Sequence, residues 1–475
     1  MIMYINILFM STLSFNVMTS TNLQWLETTI DLPDSSWPCA LLWISSTNKL
    51  CCANYGSDNI TIIDGETNEI INNVVVGDRP HTLAWNSIHN KVYCANKYSG
   101  DVTIIDGDTD TIIANITVKR GPWALTYNSI NDKIYCTSYG SDKCVIIDGK
   151  NNEIVTTVSV GAYPCALSWN SISNKVYCTN WLSNDVTIID GETNEVLTTV
   201  MVGAHPSALV WNYLNNEIYC ANTGSSNYPD NTITVIDGET NEVVTTILVG
   251  LCPYALTLNQ ITNRVYCANL LSGDVTVIDG ETHAVITNIT VGNNPYALVC
   301  DSTNNKVYCA NKHSDDVTVI DGVTDEIVCT IPVGRAPLAL TWNAINNRVY
   351  VANYEGNSIA VIKDYVGVAE RKPSMPIVVN YELKQNCPNP FSESTVISYE
   401  IPISTSGSAI SLTIYDLSGR LVRTLVNDPI TSYQSPISVF WNGLNDKGAK
   451  VSAGIYFCRL IAGNFIGVKK LILLK

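Results

Sequence analysis

Short apolar runs alternate with turn residues along most of the chain. In one stretch, residues 166–169, 175–178 and 186–189 are apolar or β-branched runs separated by Asn-, Ser- and Gly-rich segments, and residues 195–202 follow an Asp-Gly pair. Runs of this length and composition predict β-strands, and no segment has the 3.6-residue period of a helix. The pattern therefore predicts an all-β protein built from four-stranded units.

The units repeat with a fixed period. The tripeptide Ile-Asp-Gly recurs every 42 residues except once, where the spacing is 47 because of a five-residue insertion within 222–231. A period of 42 residues with four strands per unit predicts the blades of a β-propeller. The aspartates of the tripeptide are Asp64, Asp106, Asp148, Asp190, Asp237, Asp279 and Asp321, with a degenerate copy at Lys363.

Counting strands predicts how the ring closes. The first three strands of the unit occur eight times, whereas the fourth follows an Asp-Gly turn only seven times. Residues 26–30 match the fourth strand at 196–200, and the last unit ends at Ile362 without one. We expect the opening strand to complete the last sheet, because pairing removes two exposed sheet edges. The prediction is an eight-bladed propeller over residues 21–365; the alternative has seven blades and one unit outside the ring.

The repeat also carries a family resemblance. Residues 265–269 read Val-Tyr-Cys-Ala-Asn, and residues 274–280 read Asp-Val-Thr-Val-Ile-Asp-Gly. This unit resembles the YVTN-type propellers of secreted and surface-layer proteins over about residues 24–363. The resemblance implies the propeller fold but supplies no catalytic residues, because the family has no shared catalytic set.

The period stops after Asp364, and two further segments follow. Residues 366–380 are predicted to be a linker, and residues 381–475 contain short strand-like runs without a helix, which predicts a small immunoglobulin-like β-sandwich. The type A C-terminal sorting domain of the type IX secretion system is what this segment resembles, on residues 381–391, 414–420, 441–443, 448, 452–456 and 469–471. The resemblance implies export through the periplasm, the secretion machinery as a partner, and a final location outside the cell.

The N-terminal sequence is consistent with export from the cell. Residues 2–17 are mostly apolar and are followed by small polar residues, so residues 1–20 are predicted to be a signal peptide, although no Lys or Arg precedes the apolar run. No later segment is apolar and long enough to be predicted as a membrane span.

Charge narrows the classes of partner. The 475 residues include 43 acidic and 27 basic side chains, and the imbalance gives the first 365 residues a formal charge of −20 and the last 110 a charge of +4. An acidic body repels phosphate backbones, so we expect no nucleic-acid binding. We expect a monomer.

Cysteines and Asp-Gly pairs are interpreted as structural. Seven of the 16 cysteines share one position of the second strand, where the eighth unit has Val351, so the position is predicted to hold a small buried filler. Whether Cys136 and Cys144 form a disulfide stays open. No Cys-x-x-Cys motif is present, and each Asp-Gly pair is predicted to supply the positive φ angles of a hairpin turn. We therefore expect no metal and no cofactor.

Differences among the copies locate a candidate binding surface. The loops before the first strand and between the second and third strands lie at one end of such a sheet, and their residues vary, whereas the other loops are nearly constant. Aromatic, Arg and His side chains on rigidly held loops are typical of recognition surfaces, although drift at exposed turns gives the same variation. The predicted ligand-binding residues are Trp37, Arg79, His81, Trp123, Tyr163, Trp181, His205, Tyr254, Tyr296 and His313.

The leading functional hypothesis is a non-enzymatic binding module that takes a protein or glycan ligand on this variable face. No catalytic residues are predicted, because the five histidines have no metal-binding spacing and no nucleophile or phosphate-loop motif occurs. The alternatives are an extracellular lyase or hydrolase that uses His81 or His205 on the same face, and a structural protein of a surface layer.

Overall fold

The structure is a computed structural model in which strands, turns and loops account for all of the described residues. It describes residues 24–225, 227–364, 382–384, 386, 389–392, 395–400, 409–429, 437–462 and 465–474. The contacts divide the chain into two compact units, Met1–Val368 and Ala369–Lys475. The predicted signal peptide, 1–20, and the predicted linker, 366–380, lie outside the described residues. Among the described residues there is no helix long and apolar enough to span a membrane.

In the described part of the first unit, a single opening strand is followed by 31 further strands in regular order. The opening strand is β1 (Gln24–Asp31). Sheet 1 follows with β2 (Pro38–Ile44), β3 (Lys49–Asn54), β4 (Asn59–Asp64) and β5 (Ile70–Val75), and sheet 2 with β6 (Pro80–Asn86), β7 (Lys91–Asn96), β8 (Asp101–Asp106) and β9 (Ile112–Thr117). Sheet 3 has β10 (Pro122–Asn128), β11 (Lys133–Ser138), β12 (Lys143–Asp148) and β13 (Ile154–Ser159), and sheet 4 has β14 (Pro164–Asn170), β15 (Lys175–Asn180), β16 (Asp185–Asp190) and β17 (Val196–Met201). Sheet 5 has β18 (Pro206–Asn212), β19 (Glu217–Gly224), β20 (Pro229–Asp237) and β21 (Val243–Leu248), and sheet 6 has β22 (Pro253–Asn259), β23 (Arg264–Asn269), β24 (Asp274–Asp279) and β25 (Val285–Thr290). Sheet 7 has β26 (Pro295–Asp301), β27 (Lys306–Asn311), β28 (Asp316–Asp321) and β29 (Ile327–Pro332), and sheet 8 begins with β30 (Pro337–Asn343), β31 (Arg348–Asn353) and β32 (Ser358–Asp364).

The first strand of each sheet contacts the first strand of the next sheet, and β30 contacts β2. All pairs within the sheets are antiparallel, which gives the β-propeller architecture that the repeat predicts. The opening strand β1 pairs with β32, with Trp25 opposite Lys363 and Ile30 opposite Ile359, as the strand count predicts. The start and the end of the unit are therefore hydrogen-bonded within sheet 8.

The core lies between neighbouring sheets. One cluster, for example, joins Ile60 and Ile62 of sheet 1 to Val92 and Cys94 of sheet 2, all at most 1% exposed. The seven repeated cysteines are all 0% exposed, which confirms that they fill space in this core. Cys136 and Cys144 are both free thiols, so they do not form a disulfide in this structure.

The Asp-Gly turns differ from the expectation in one respect. The positive φ angle falls three residues after the glycine, as at Asn68 (φ 62°), and not at Gly65. Gly65 is required instead by a close approach, because a Cβ atom there would lie 2.5 Å from the backbone oxygen of Asn48. The carboxylate of Asp64 accepts the backbone N–H groups of Glu66 and Thr67, both at 2.8 Å, so its role is to hold the turn.

The described residues of the second unit form two antiparallel sheets. Their strands are β33 (Glu382–Leu383), β34 (Thr395–Glu400), β35 (Ala409–Asp416), β36 (Leu421–Pro429), β37 (Ile437–Trp441), β38 (Gly454–Ala462) and β39 (Phe465–Leu473). One sheet has the order β33-β34-β37, and the other has the order β36-β35-β38-β39. Trp441 packs edge-on against Tyr456 with ring centroids 5.1 Å apart, within one shared core.

Candidate functional site

The variable face is formed by two loops from each sheet that are hydrogen-bonded to each other. In sheet 1 the backbone N–H of Tyr55 donates to the carbonyl of Trp37 at 3.0 Å, and in sheet 2 Lys97 makes the same bond to Arg79. The equivalent bond occurs in all eight sheets. The loop before the first strand and the loop after the second are thus held together as one layer, as the sequence predicts.

The residue before the repeated proline has a left-handed backbone in every sheet. A side chain at positive φ costs free energy that glycine avoids, about 1 kcal/mol or more, and glycine occupies the position only once. In five of the eight sheets the backbone N–H donates to a side chain of the preceding sheet, as in the bond from Arg79 to Oδ1 of Asp58 at 2.8 Å. The eight residues are Trp37 (φ 51°), Arg79 (55°), Gly121 (70°), Tyr163 (57°), His205 (50°), Cys252 (61°), Asn294 (60°) and Ala336 (54°).

A chain of ring contacts, which we call the aromatic arc, crosses this face from sheet 8 to sheet 4. It begins where Trp37 stacks on Tyr354 with centroids 5.9 Å apart, and Tyr354 meets Tyr55 at 6.5 Å. The guanidinium of Arg79 then lies between two rings, 5.0 Å from Tyr55 and 4.3 Å from Tyr98. Arg79 also donates from Nη1 to the hydroxyl of Tyr55 at 3.1 Å. The guanidinium is therefore fixed in place by aromatic faces.

The arc continues through a tryptophan shared by several groups. Trp123 lies 4.2 Å from the ring of His81 and 5.0 Å from Tyr139, and Lys97 Nζ is 4.3 Å above it. Tyr139 ends the arc with an edge contact to Tyr163 at 4.5 Å. Burial, with a smaller contribution from Lys97, lowers the pKa of His81 to about 4. His81 is thus neutral at neutral pH and packs as an uncharged ring.

The arc borders an open cleft of about 290 Å³ between sheets 1 and 2. Gly56 forms part of the lining, where a Cβ atom would lie 2.8 Å from the Trp37 ring. The cleft is lined by Trp37, Tyr55, Gly56, Asp58, Asp78, Arg79 and Tyr98. It therefore combines flat apolar surfaces with a fixed cation and two carboxylates, which is a set of groups suited to binding.

The structure joins five of the ten predicted residues, namely Trp37, Arg79, His81, Trp123 and Tyr163, in the aromatic arc. Two further pairs lie elsewhere on the face. Trp181 stacks on His205 with centroids 4.1 Å apart, and the hydroxyls of Tyr254 and Tyr296 are 2.7 Å apart. His313 is exposed in the loop after β27 and belongs to neither pair nor the arc.

Several residues of the arc were absent from the predicted set. Tyr55, Tyr139 and Tyr354 occupy one position of the loop after the second strand, and Tyr98 lies one residue further along its loop. The aromatic character of all four was visible in the sequence. Lys97 gave no such signal, because a single lysine in an acidic chain resembles any solvated charge. Only the fold brings its ammonium group over Trp123.

Two family profiles match the chain. Residues 155–380 match the profile described as YNCE-like beta-propeller, and residues 387–474 match the profile described as Secretion system C-terminal sorting domain. No curated protein sequence matches the chain significantly.

Solved structures share the fold at low sequence identity. Sqt1 of Saccharomyces cerevisiae is similar with a TM-score of 0.62 and 11% identity, over 73% of this chain and 100% of that chain. Hydrazine synthase of Kuenenia stuttgartiensis has a TM-score of 0.50 and 18% identity, over 72% of this chain and 99% of that chain. A streptogramin B lyase has a TM-score of 0.50 and 12% identity, over 73% and 100%. At these identities the likeness shows the propeller fold alone.

Proposed function

We propose that this chain, an exported protein that carries a YVTN-type β-propeller and a C-terminal sorting domain of the type IX secretion system, is a recognition module that binds a ligand on its variable face. The sorting domain directs it to the cell surface or the medium, so the ligand is an extracellular component. The secretion machinery is the partner of the tail, and the propeller is the part that acts after export.

The observation that carries this proposal is the aromatic arc on left-handed loop positions. Bulky side chains such as Trp37 and Tyr163 stand where glycine costs the fold less, and both are 38% exposed. Selection for folding alone favours glycine there, whereas selection for a binding surface favours large rings. The rings are also held by one another, so little side-chain entropy is lost when a ligand binds.

Contacts of the two histidines favour binding over catalysis. His81 packs on Trp123 and His205 stacks on Trp181, so both imidazoles are used as flat rings within aromatic contacts. A general base needs a reacting group within hydrogen-bonding reach and a pKa near the working pH. The lowered pKa of His81 makes it a weak base.

The architecture that presents this face is an eight-bladed ring followed by an immunoglobulin-like sandwich, in our proposal. The contact of β30 with β2 and the pairing of β1 with β32 support a ring closed at eight sheets. The two antiparallel sheets with a common core support a sandwich for the tail. A closed ring keeps neighbouring loops at fixed spacing, which is what a multi-loop binding surface requires.

The test is a binding screen of the purified full chain against extracellular polysaccharides, surface proteins and whole-cell envelopes. The variant Trp37→Ala/Trp123→Ala/Trp181→Ala is expected to lose binding with an unchanged circular-dichroism spectrum. The matched control, Ile88→Ala/Ile130→Ala/Ile172→Ala, alters exposed side chains in the loops between first and second strands, on the opposite face, and is expected to bind like the wild type. Equal binding by the tryptophan variant and the wild type would refute the proposal.

A further inference from the structure

Four cations on the variable face have no carboxylate partner among the described residues. Arg79, Lys97, Lys119 and Arg120 take part in none of the seven ion pairs found there. The surrounding chain is strongly acidic, with a charge of −20 over its first 365 residues. These four cations therefore carry positive charge on an acidic chain without an ion-pair partner in its described part, and an external anion can bind to them.

The four cations belong to adjoining loops. The backbone N–H of Lys97 donates to the carbonyl of Arg79, and the N–H of Lys119 donates to the carbonyl of Gly100, both at 3.0 Å. Lys119 and Arg120 are exposed in the loop that enters β10. The four cations therefore lie in neighbouring loops of sheets 2 and 3 on the variable face, and we call them the basic patch.

Two of these cations lie against aromatic rings. The Arg79 guanidinium lies between Tyr55 and Tyr98, and the Lys97 ammonium lies over Trp123. Burial lowers the pKa of Lys97, so its charged form is partly desolvated and gains from a counter-ion. Each charge thus has a flat apolar surface directly beside it.

From this arrangement we infer that the cleft binds a sugar residue of an acidic polysaccharide, in which each ring carries a carboxylate. The inference rests on the proposed function and names the ligand class for the same face. The apolar face of a pyranose packs on an aromatic ring, and a guanidinium binds a carboxylate through two parallel hydrogen bonds. Asp78, exposed at the cleft, and the second oxygen of Asp58 accept hydrogen bonds from sugar hydroxyls.

The dimensions of the cleft favour a sugar over a folded protein. Its volume of about 290 Å³ is near the lower end for small-molecule sites, about 300 Å³, and suits a single ring of a ligand. It is also open to solvent, so a polymer can extend beyond the cleft. The basic patch beyond the cleft, at Lys119 and Arg120, then meets the carboxylates of neighbouring sugar residues.

The experiment is calorimetric titration of the full chain with two uronate polymers, polygalacturonate and alginate, and with carboxyl-reduced polygalacturonate. Binding to at least one uronate polymer is expected, with at least tenfold weaker binding to the reduced polymer. Arg79→Gln and Lys97→Gln are each expected to weaken uronate binding about tenfold. The matched control is Arg335→Gln, because Arg335 is on the same face but is already paired with Glu355 at 2.9 Å. Its affinity is expected to stay within twofold of the wild type.

The outcomes separate this inference from the proposed function. Equal binding of native and reduced polygalacturonate would overturn the inference that the ligand is an acidic polysaccharide. It would leave intact the proposal that the variable face binds a ligand. Binding to none of the polymers, together with tryptophan-dependent capture of an envelope protein, would overturn the saccharide ligand but not the recognition module. If the tryptophan variant binds every ligand like the wild type, both proposals fail.

Discussion

The imidazole Nε2 of His283 lies 2.9 Å from Oε2 of Glu217, across the interface between sheets 5 and 6. In the other sheets the position of Glu217 holds a lysine or arginine, as where Lys91 Nζ donates to Asn152 Oδ1 at 2.9 Å. The two positions have therefore changed together, with an acid replacing the base and an imidazole replacing the amide. The contact between the sheets is kept although its polarity is reversed.

Glu217→Lys is expected to destabilise the protein by about 1–3 kcal/mol, because it removes the carboxylate with which His283 Nε2 is paired. The double variant Glu217→Lys/His283→Asn restores the arrangement of Lys91 and Asn152 and is expected to recover most of the loss. Guanidinium chloride unfolding measures the two single variants, Glu217→Lys and His283→Asn, and the double variant. If the double variant loses the sum of the two single effects, the two residues are not coupled.

Asp364 at the end of β32 is the hydrogen-bonding centre of the ring closure. Its carboxylate accepts from Gln24 of the opening strand at 2.6 Å and from Tyr308 at 2.8 Å, and it lies 3.3 Å from Lys306 Nζ. Both charged side chains are nearly inaccessible, at 2% exposed for Lys306 and 0% for Asp364. One carboxylate thus links the opening strand to sheets 7 and 8.

Asp364→Asn is expected to cost about 3–5 kcal/mol, because it leaves the buried charge of Lys306 without a counter-ion. The matched control breaks an exposed pair: Arg335→Gln is expected to cost less than about 1 kcal/mol, since water solvates Glu355. Chemical denaturation of both variants gives the comparison. Similar losses in the two variants would contradict the role assigned to Asp364.

The repeat explains why the fold could be predicted more fully than the site. Strand positions recur in eight copies, so the apolar pattern and the missing fourth strand were enough to place β1 beside β32. The site depends on contacts between different copies, such as Lys97 over Trp123, and a repeat read copy by copy contains no information on them. The role of Gly65 also depends on a contact, its close approach to Asn48 in a loop 17 residues earlier, and the repeat pattern does not show that the two loops of this sheet meet.

Trp37→Gly tests whether the left-handed positions serve binding at the expense of folding. Glycine relieves about 1–2 kcal/mol of backbone strain at φ 51° and loses the packing of the ring on Tyr354, so the net change in unfolding free energy is expected to stay within about 1 kcal/mol. The control Trp43→Gly removes a half-buried ring from β2 and is expected to cost about 3–5 kcal/mol. Thermal and chemical unfolding distinguish the two. A large loss in Trp37→Gly would show that this tryptophan is a folding residue.

Asp301 ends β26, where six other sheets have an asparagine and sheet 1 has Ile44. Burial is the main cause that raises its pKa, to about 7, and the nearby charge of Asp364 adds to the shift. Between about pH 4 and pH 7 the native state therefore binds more protons at this site than the unfolded chain, and stability falls as the pH rises. Asp301→Asn removes this slope, because its amide carries no charge and can donate to Oδ1 of Asn347. We expect a gain on the order of a few kcal/mol at pH 8 and little change at pH 4. The reverse substitution at an equivalent position, Asn259→Asp, is expected to add a second decrease in stability with rising pH.

His81 makes stability depend on pH with the opposite sign, over nearly the same pH range. Its pKa is lowered to about 4 by burial, so between about pH 6.5 and pH 4 the unfolded chain binds the extra proton and stability falls as the pH falls. In the wild type the two slopes offset each other. Asp301→Asn is therefore expected to become more stable as the pH rises. His81→Asn is expected to become less stable as the pH rises. The double variant is expected to show no pH dependence from these two sites. Denaturant unfolding at half-unit steps from pH 4 to pH 8 measures the profiles. If both single variants give the same sign of slope, one of the two groups is not titrating in the native state as its burial requires.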